Sequence, residues 1–305
     1  MTLKLLLAAL IGTTMALPAH AADIKAVASF SILGDIVARV GGDRVDLTTI
    51  VGPNADTHVY EPKPADAQAL SQADVFFVNG LGFEGWLDRL VEATGFSGPV
   101  VVASEGVATH EMAEEEHAEG EHDQGHDHGE TDPHAWQSLK NGLVYVKNVA
   151  AGLCKADPDG CATYEANAKT YSDEIAALDA KVIAAIDTVP AAQRKVITTH
   201  DAFGYFGEEY GVQFLAPEGI STDSEASAAD VGRLIEQIRS EGVKALFIEN
   251  MSDGRLVEQI SRETGVTIGG ELYADALSEP GQGAATYLEM FEHNIALLVP
   301  AMTGK

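Results

Sequence analysis

Seven residues, Tyr164, Ala168, Tyr171, Ile175, Leu178, Val182 and Ile186, recur at spacings of three and four. That period places them on one face of a helix. The stripe predicts a helix over 162–188, stopped by Pro190. At 1.5 Å per residue it reaches about 40 Å, more than the width of a small domain. Such an element divides the chain in two and can run along both parts. A single rigid helix also restricts hinge opening more than flexible linkers do.

Both sides of the stripe read alike. Before it, Ile24–Phe30, Val45–Val51, Val75–Gly80 and Val100–Ser104 are short β-branched or aromatic runs, with helical spacing over Ile32–Val40 and Ala65–Gln72. After it, Val196–Thr199, Val212–Ala216, Ala245–Glu249 and Val266–Glu271 alternate with helical segments Ala228–Glu241, Gly254–Thr264 and Ala284–Val299. Alternation of this kind predicts parallel sheets covered by helices. The expected fold is α/β, with two lobes of mostly parallel sheet over 22–155 and 191–305, joined by the helix at 162–188. No residue-level repeat relates the halves.

Residues 1–21 stand outside that pattern. Lys4, an apolar stretch from Leu5 to Leu17, and Ala19-His20-Ala21 form the three parts of an export signal. Cleavage is expected after Ala21 or Ala22. The apolar stretch is too short to span a bilayer, and no Cys sits at the cleavage site, so a soluble chain in a Gram-negative periplasm is expected. A formal charge of −28 argues against nucleic acid, which needs clustered Lys and Arg. The two cysteines, Cys154 and Cys161, flank Asp157-Pro158-Asp159-Gly160, a turn sequence that can bring the sulfurs together. In an oxidising compartment a local disulfide is expected; a thiolate metal site would need more ligands nearby.

One segment cannot form a core. Residues 110–130 carry five histidines, nine acidic residues and no Lys or Arg. With almost no apolar surface to offset ordering entropy, the segment reads as a disordered loop. It is either a solvated insertion or a weak zinc-capturing loop acting through His117, His122, His126 and His128.

Outside residues 1–21 and that loop, four histidines remain: His58, His134, His200 and His293. His58 follows the run ending at Val51, and His200 ends the run beginning at Val196. In open α/β sheets, ligands gather beyond the carboxyl ends of strands, so these two can face each other across a cleft. His134 lies in Asp132-Pro-His-Ala-Trp, where the loop rejoins ordered chain. Asp275 follows the last predicted strand. Three imidazoles and one carboxylate suit tetrahedral Zn²⁺. Taken singly, each histidine also fits an ordinary hydrogen-bonded role, and gaps of 76, 66 and 75 residues match no local zinc motif. His293, on the last amphipathic helix, is read as structural. Glu61 and Asp201 are candidate acceptors for imidazole N–H groups, or else solvated turn residues.

Four segments carry a resemblance across the mature chain: Asn54-Ala-Asp-Thr-His58-Val-Tyr-Glu-Pro62, Asp132-Pro-His134-Ala-Trp136, Thr199-His200-Asp201-Ala-Phe203-Gly-Tyr205, and Tyr273-Ala-Asp275-Ala-Leu-Ser278. They resemble the cluster A-I substrate-binding proteins of zinc and manganese ABC importers. The histidine-rich insertion is similar to that of the zinc members, of ZnuA and AztC type. The resemblance implies a metal site between the lobes, with Zn²⁺ on His58, His134, His200 and Asp275. It also implies delivery to an ABC importer permease, with a periplasmic zinc chaperone as a candidate donor and the chain itself expected to be a monomer. Manganese-binding relatives tend to carry a carboxylate at the position of His200. Manganese or iron delivery is the alternative within the family. Outside it stand a zinc hydrolase and a surface adhesin. Asp275 would close the coordination shell, no His-Glu-x-x-His helix is present, and neither lipobox nor repeats suggest an adhesin, so no enzyme is expected.

Overall fold

A computed structural model describes residues 24–110, 131–224 and 226–304. The export signal at 1–21 and loop residues His117, His122, His126 and His128 lie outside the described residues.

The first sheet contains β1 (Ile24–Phe30), β2 (Val45–Val51), β3 (Val75–Val78) and β4 (Val100–Val102) in the order β2-β1-β3-β4, all parallel. The second contains β5 (Lys195–Ile197), β6 (Gln213–Leu215), β7 (Ala245–Glu249) and β8 (Thr267–Leu272) in the order β6-β5-β7-β8, again all parallel. The two sheets thus share one topology. Buried central strands such as Val75-Phe-Phe-Val78 are continuously apolar, as a sheet covered on both faces requires. The fold is the expected two-lobed α/β architecture.

Helices α1 (Ser31–Gly41), α2 (Pro64–Ser71), α3 (Leu87–Thr94) and α4 (Leu139–Ala156) belong to the first half. Helix α5 (Cys161–Ile186) follows, then α6 (Gly204–Tyr210), α7 (Ala228–Glu241), α8 (Arg255–Thr264) and α9 (Tyr287–Thr303). Side-chain oxygens start several of them: Ser138 Oγ accepts from Asn141 N, and Thr286 Oγ1 from Glu289 N. Gly242 and Gly265 end α7 and α8 at φ 67° and 75°, a left-handed conformation that glycine adopts without Cβ strain. Between α4 and α5 a short 3-10 turn, Pro158–Gly160, brings Cys154 and Cys161 together in a disulfide. Helix α9 departs from expectation. It begins three residues later than the pattern suggested and continues through Pro300 to Thr303.

All seven stripe residues of α5 are buried, and they join one apolar core that reaches into both lobes. A second cluster, built around Val231, Leu234, Ile235, Ile238, Val257 and Ile260, fixes α7 and α8 to the second sheet. Polar bonds also cross between lobes. Asn54 N donates to Leu277 O at 2.9 Å, and Leu277 N to Ser31 Oγ at 2.9 Å. Tyr287 N donates to Asp35 Oδ2 at 3.0 Å, joining α9 to α1.

Candidate metal centre

The first lobe supplies two of the four candidate residues. His58 sits on the irregular stretch after β2, where its backbone N donates to Asp56 Oδ1 at 2.9 Å. Trp86 Nε1 pins the preceding residue through Thr57 O at 3.1 Å. His134 precedes the 3-10 turn Ala135–Gln137. Its backbone N donates to Asp132 Oδ1, while Asn79 Nδ2 holds Pro133 O at 2.9 Å.

The second lobe supplies the others. His200 lies just beyond β5, and both its N–H and that of Thr199 donate to Glu249 Oε1 at the end of β7. Asp275 follows β8 on a segment gripped from the first half: Trp136 Nε1 and Gln137 Nε2 donate to Ala274 O at 2.9 and 2.8 Å. Each group therefore sits on a non-strand segment whose backbone is fixed by hydrogen bonds from its own half or from the facing one.

The four groups converge. His58 Nε2 lies 3.2 Å from His134 Nε2 and 3.3 Å from Asp275 Oδ2. His200 Nε2 is 3.1 Å from Asp275 Oδ2, and His134 Nε2 is 3.6 Å from Asp275 Oδ1. All four candidate ligand atoms lie within 4.8 Å of one another. A tetrahedron with metal–ligand bonds of about 2.1 Å has edges of about 3.4 Å, so these separations are those of a four-coordinate shell. The side chains of His134, His200 and Asp275 have no exposed surface, and that of His58 is 5% exposed. Among the described residues, His200 Nε2 and both Asp275 oxygens make no hydrogen bond. Buried polar atoms in that condition are costly unless something else satisfies them.

Electrostatics reinforce the grouping. Burial pushes the imidazole of His134 down, but the carboxylates of Asp275 and Asp132 outweigh it and raise its pKa to about 9. Burial opposes charge on His200 as well, and Glu249 and Asp275 overcome it and raise it well above the ordinary value. Asp275 is pushed up by burial, yet His200 and His134 hold it well below the usual carboxylate range. Without metal, protons on the two imidazoles neutralise the carboxylates. A dication can displace those protons and take over their role.

The imidazoles are oriented by acceptors that sequence reasoning missed. Nδ1 of His134 donates to Asp132 Oδ1 at 2.7 Å, and Nδ1 of His200 donates to Glu249 Oε2. Glu61 is exposed and Asp201 half-buried, and among the described residues neither bonds an imidazole. Burial, followed by the neighbouring Asp132, raises the pKa of Asp201. The position of Glu249 at the carboxyl end of a predicted strand was the available signal. His293 lies apart from the cluster, its Nε2 2.9 Å from Glu271 O.

Comparison with known proteins agrees with this picture. The family profile "Zinc-uptake complex component A periplasmic" matches residues 26–301. The manganese-binding lipoprotein MntA of Halalkalibacterium halodurans is 35% identical over 280 residues, spanning 92% of this chain and 89% of that protein. The manganese ABC transporter substrate-binding lipoprotein PsaA of Streptococcus pneumoniae is 32% identical over 278 residues, spanning 89% and 87%. Among solved structures, the periplasmic zinc binding protein TroA of Treponema pallidum superposes with a TM-score of 0.84 at 31% identity, over 92% of this chain and 99% of that one. With a matching profile, the same two-lobed fold and a buried set of metal-ligating groups, the chain belongs to the zinc-uptake complex component A family, the substrate-binding proteins that hold a divalent metal for an ABC transporter and are not enzymes.

Proposed function

We propose that this protein captures Zn²⁺ in the periplasm, on His58, His134, His200 and Asp275, and delivers it to the permease of an ABC importer. The observation that carries the reading is the donor set, three imidazole nitrogens and one carboxylate at tetrahedral spacing. Imidazole nitrogen suits zinc, whereas the harder Mn²⁺ favours oxygen donors and higher coordination numbers. Four protein groups fill a tetrahedral shell and leave no position for a reacting water, which suits carriage. The same reading takes 1–21 as an export signal, 22–155 and 191–305 as the lobes, 162–188 as the linker, and the protein as a monomer. It also makes the histidine-rich loop a weaker zinc-collecting element that can accept metal from a chaperone.

Manganese is the second reading, and it has a specific observation behind it: MntA and PsaA are named for manganese. Competition binding separates the two. The purified mature protein is expected to hold one zinc tightly and to exchange it for manganese only at large excess. Alanine in place of His58, His134, His200 or Asp275 is expected to weaken zinc binding at least tenfold. Tighter manganese than zinc binding would overturn the choice of metal, and unchanged zinc content in all four variants would overturn the site.

A further inference from the structure

The four groups of the centre are not equally placed for exchange. His134 and His200 have no exposed side-chain surface, and each is held at Nδ1 by a carboxylate. Asp275 is equally buried, on a segment fixed through Ala274 O. His58 differs in two respects. Its side chain keeps some exposure, and among the described residues no acceptor holds its Nδ1.

A surface cavity of about 290 Å³ opens beside it. Phe83, Gly85 and Pro133 of the first half form one wall, Ile220 and Ser221 of the second half form the other, and His58 is the only one of the four groups that borders it. Liquid water occupies about 30 Å³ per molecule, so the space corresponds to about ten waters and admits one imidazole or carboxylate with a short stem. Across the mouth, Thr222 Oγ1 donates to Asp56 Oδ2 at 2.6 Å, and the other oxygen of Asp56 holds the backbone of His58. Among the described residues this side-chain bond ties the loop bearing His58 to the wall at Ile220 and Ser221, while Asn54 of the same loop is held by Asn250 and Leu277.

Resting on the reading of the centre as a zinc site, we propose that this cavity is its exchange port, binding a small nitrogen or oxygen donor that replaces His58 on the metal. The lone pair of the incoming imidazole or carboxylate bonds to the ion as the bond from His58 Nε2 breaks. Zinc accommodates five ligands in passing. His134, His200 and Asp275 keep their hold throughout, so the ion is never released bare. The displaced imidazole swings toward the cavity, where it is neutral or takes a proton from water.

Transfer of zinc from the loaded full-length mature protein to 4-(2-pyridylazo)resorcinol, with free histidine added in steps, tests this. The expected rate rises linearly with histidine. Gly85→Leu is chosen to plug the port, because Gly85 lines it, is not a ligand, and has room for a Cβ with nothing within 4 Å. Ser221→Phe plugs it from the other wall. Each plugged variant is expected to keep one tight zinc but to transfer it about tenfold more slowly, with the histidine dependence lost. Gly232→Leu, at an open position on α7, is expected to behave as wild type. A wild-type protein with one tight zinc whose transfer ignores histidine, or plugged variants that transfer at the wild-type rate, would overturn the port alone. Failure of the wild type to bind zinc at all would overturn the zinc reading beneath it.

Discussion

At the residue scale, the centre couples metal to protons. His134 titrates near 9 and His200 well above its ordinary value, because burial is outweighed by Asp275, Asp132 and Glu249. For the metal-free protein the sign follows directly. A folded pKa above the unfolded value of about 6.5 stabilises fully below that pH, and the contribution fades as pH rises through about 9. For zinc the sign is opposite, since the ion binds neutral imidazole and each displaced proton strengthens binding as pH rises. The gap in melting temperature between zinc-loaded and metal-free protein is therefore expected to widen steadily from pH 6 to 9. Glu249→Gln removes the carboxylate from His200 Nδ1, and it is expected to weaken zinc binding about 10–100-fold and to flatten that pH slope. Calorimetry and binding titrations across the range decide; a pH-independent gap would contradict the coupling. The four candidate residues were legible only in part: each stood out as a polar group beside a strand end or turn, but singly each fitted an ordinary role, and the family resemblance was what joined them. Asp132 and Glu249 were harder to read, because which carboxylate reaches an imidazole is set by how strand ends meet in space. Proximity in sequence pointed to Glu61 and Asp201 instead.

At the element scale, the apolar stripe specified α5 nearly residue for residue, because one periodic face must find one continuous partner. Its neighbours were less legible. The pattern over Ala284–Val299 stops at Pro300, yet α9 runs on to Thr303 and tolerates the one backbone bond that Pro300 cannot donate. The pattern also gave no notice of α3, α4 or α6: α3 is only eight residues long, and the faces of α4 and α6 are partly occupied by Gly, Tyr or Asn. Helix α5 holds the lobes through its packing, which makes its stability separable from metal chemistry. Ile175 is fully buried on it. Ile175→Ala is expected to destabilise the metal-free protein by about 2–5 kcal/mol while leaving the stoichiometry of zinc unchanged. Denaturant unfolding beside metal analysis checks both halves, and a variant as stable as wild type would place the lobes' adhesion elsewhere.

At the scale of the whole molecule, the question is how a buried ion gets in and out. Three kinds of connection oppose wide hinge opening. The core along α5 is shared by both lobes, Tyr287 on α9 bonds to Asp35 on α1 beside the Tyr171 hydroxyl, and Trp136 and Gln137 of one half grip Ala274 of the other. Opening the cleft by rotation would break these together and expose apolar surface that the fold buries. Rim bonds, such as that from Thr222 to Asp56 and that from Asn250 Nδ2 to Asn54 Oδ1, can be released without disturbing the core. Motion on metal loading should therefore be confined to loops at the mouth. Solution X-ray scattering of metal-free and zinc-loaded protein is expected to give radii of gyration within about 1 Å, unlike the change that accompanies hinge closure. Hydrogen exchange is expected to slow on loading around 52–60 and 218–224, while amides of α5 stay equally protected in both states. A larger change in radius, with faster exchange along α5 in the metal-free protein, would mean that the long helix bends as a hinge, and that the ion leaves by separation of the lobes.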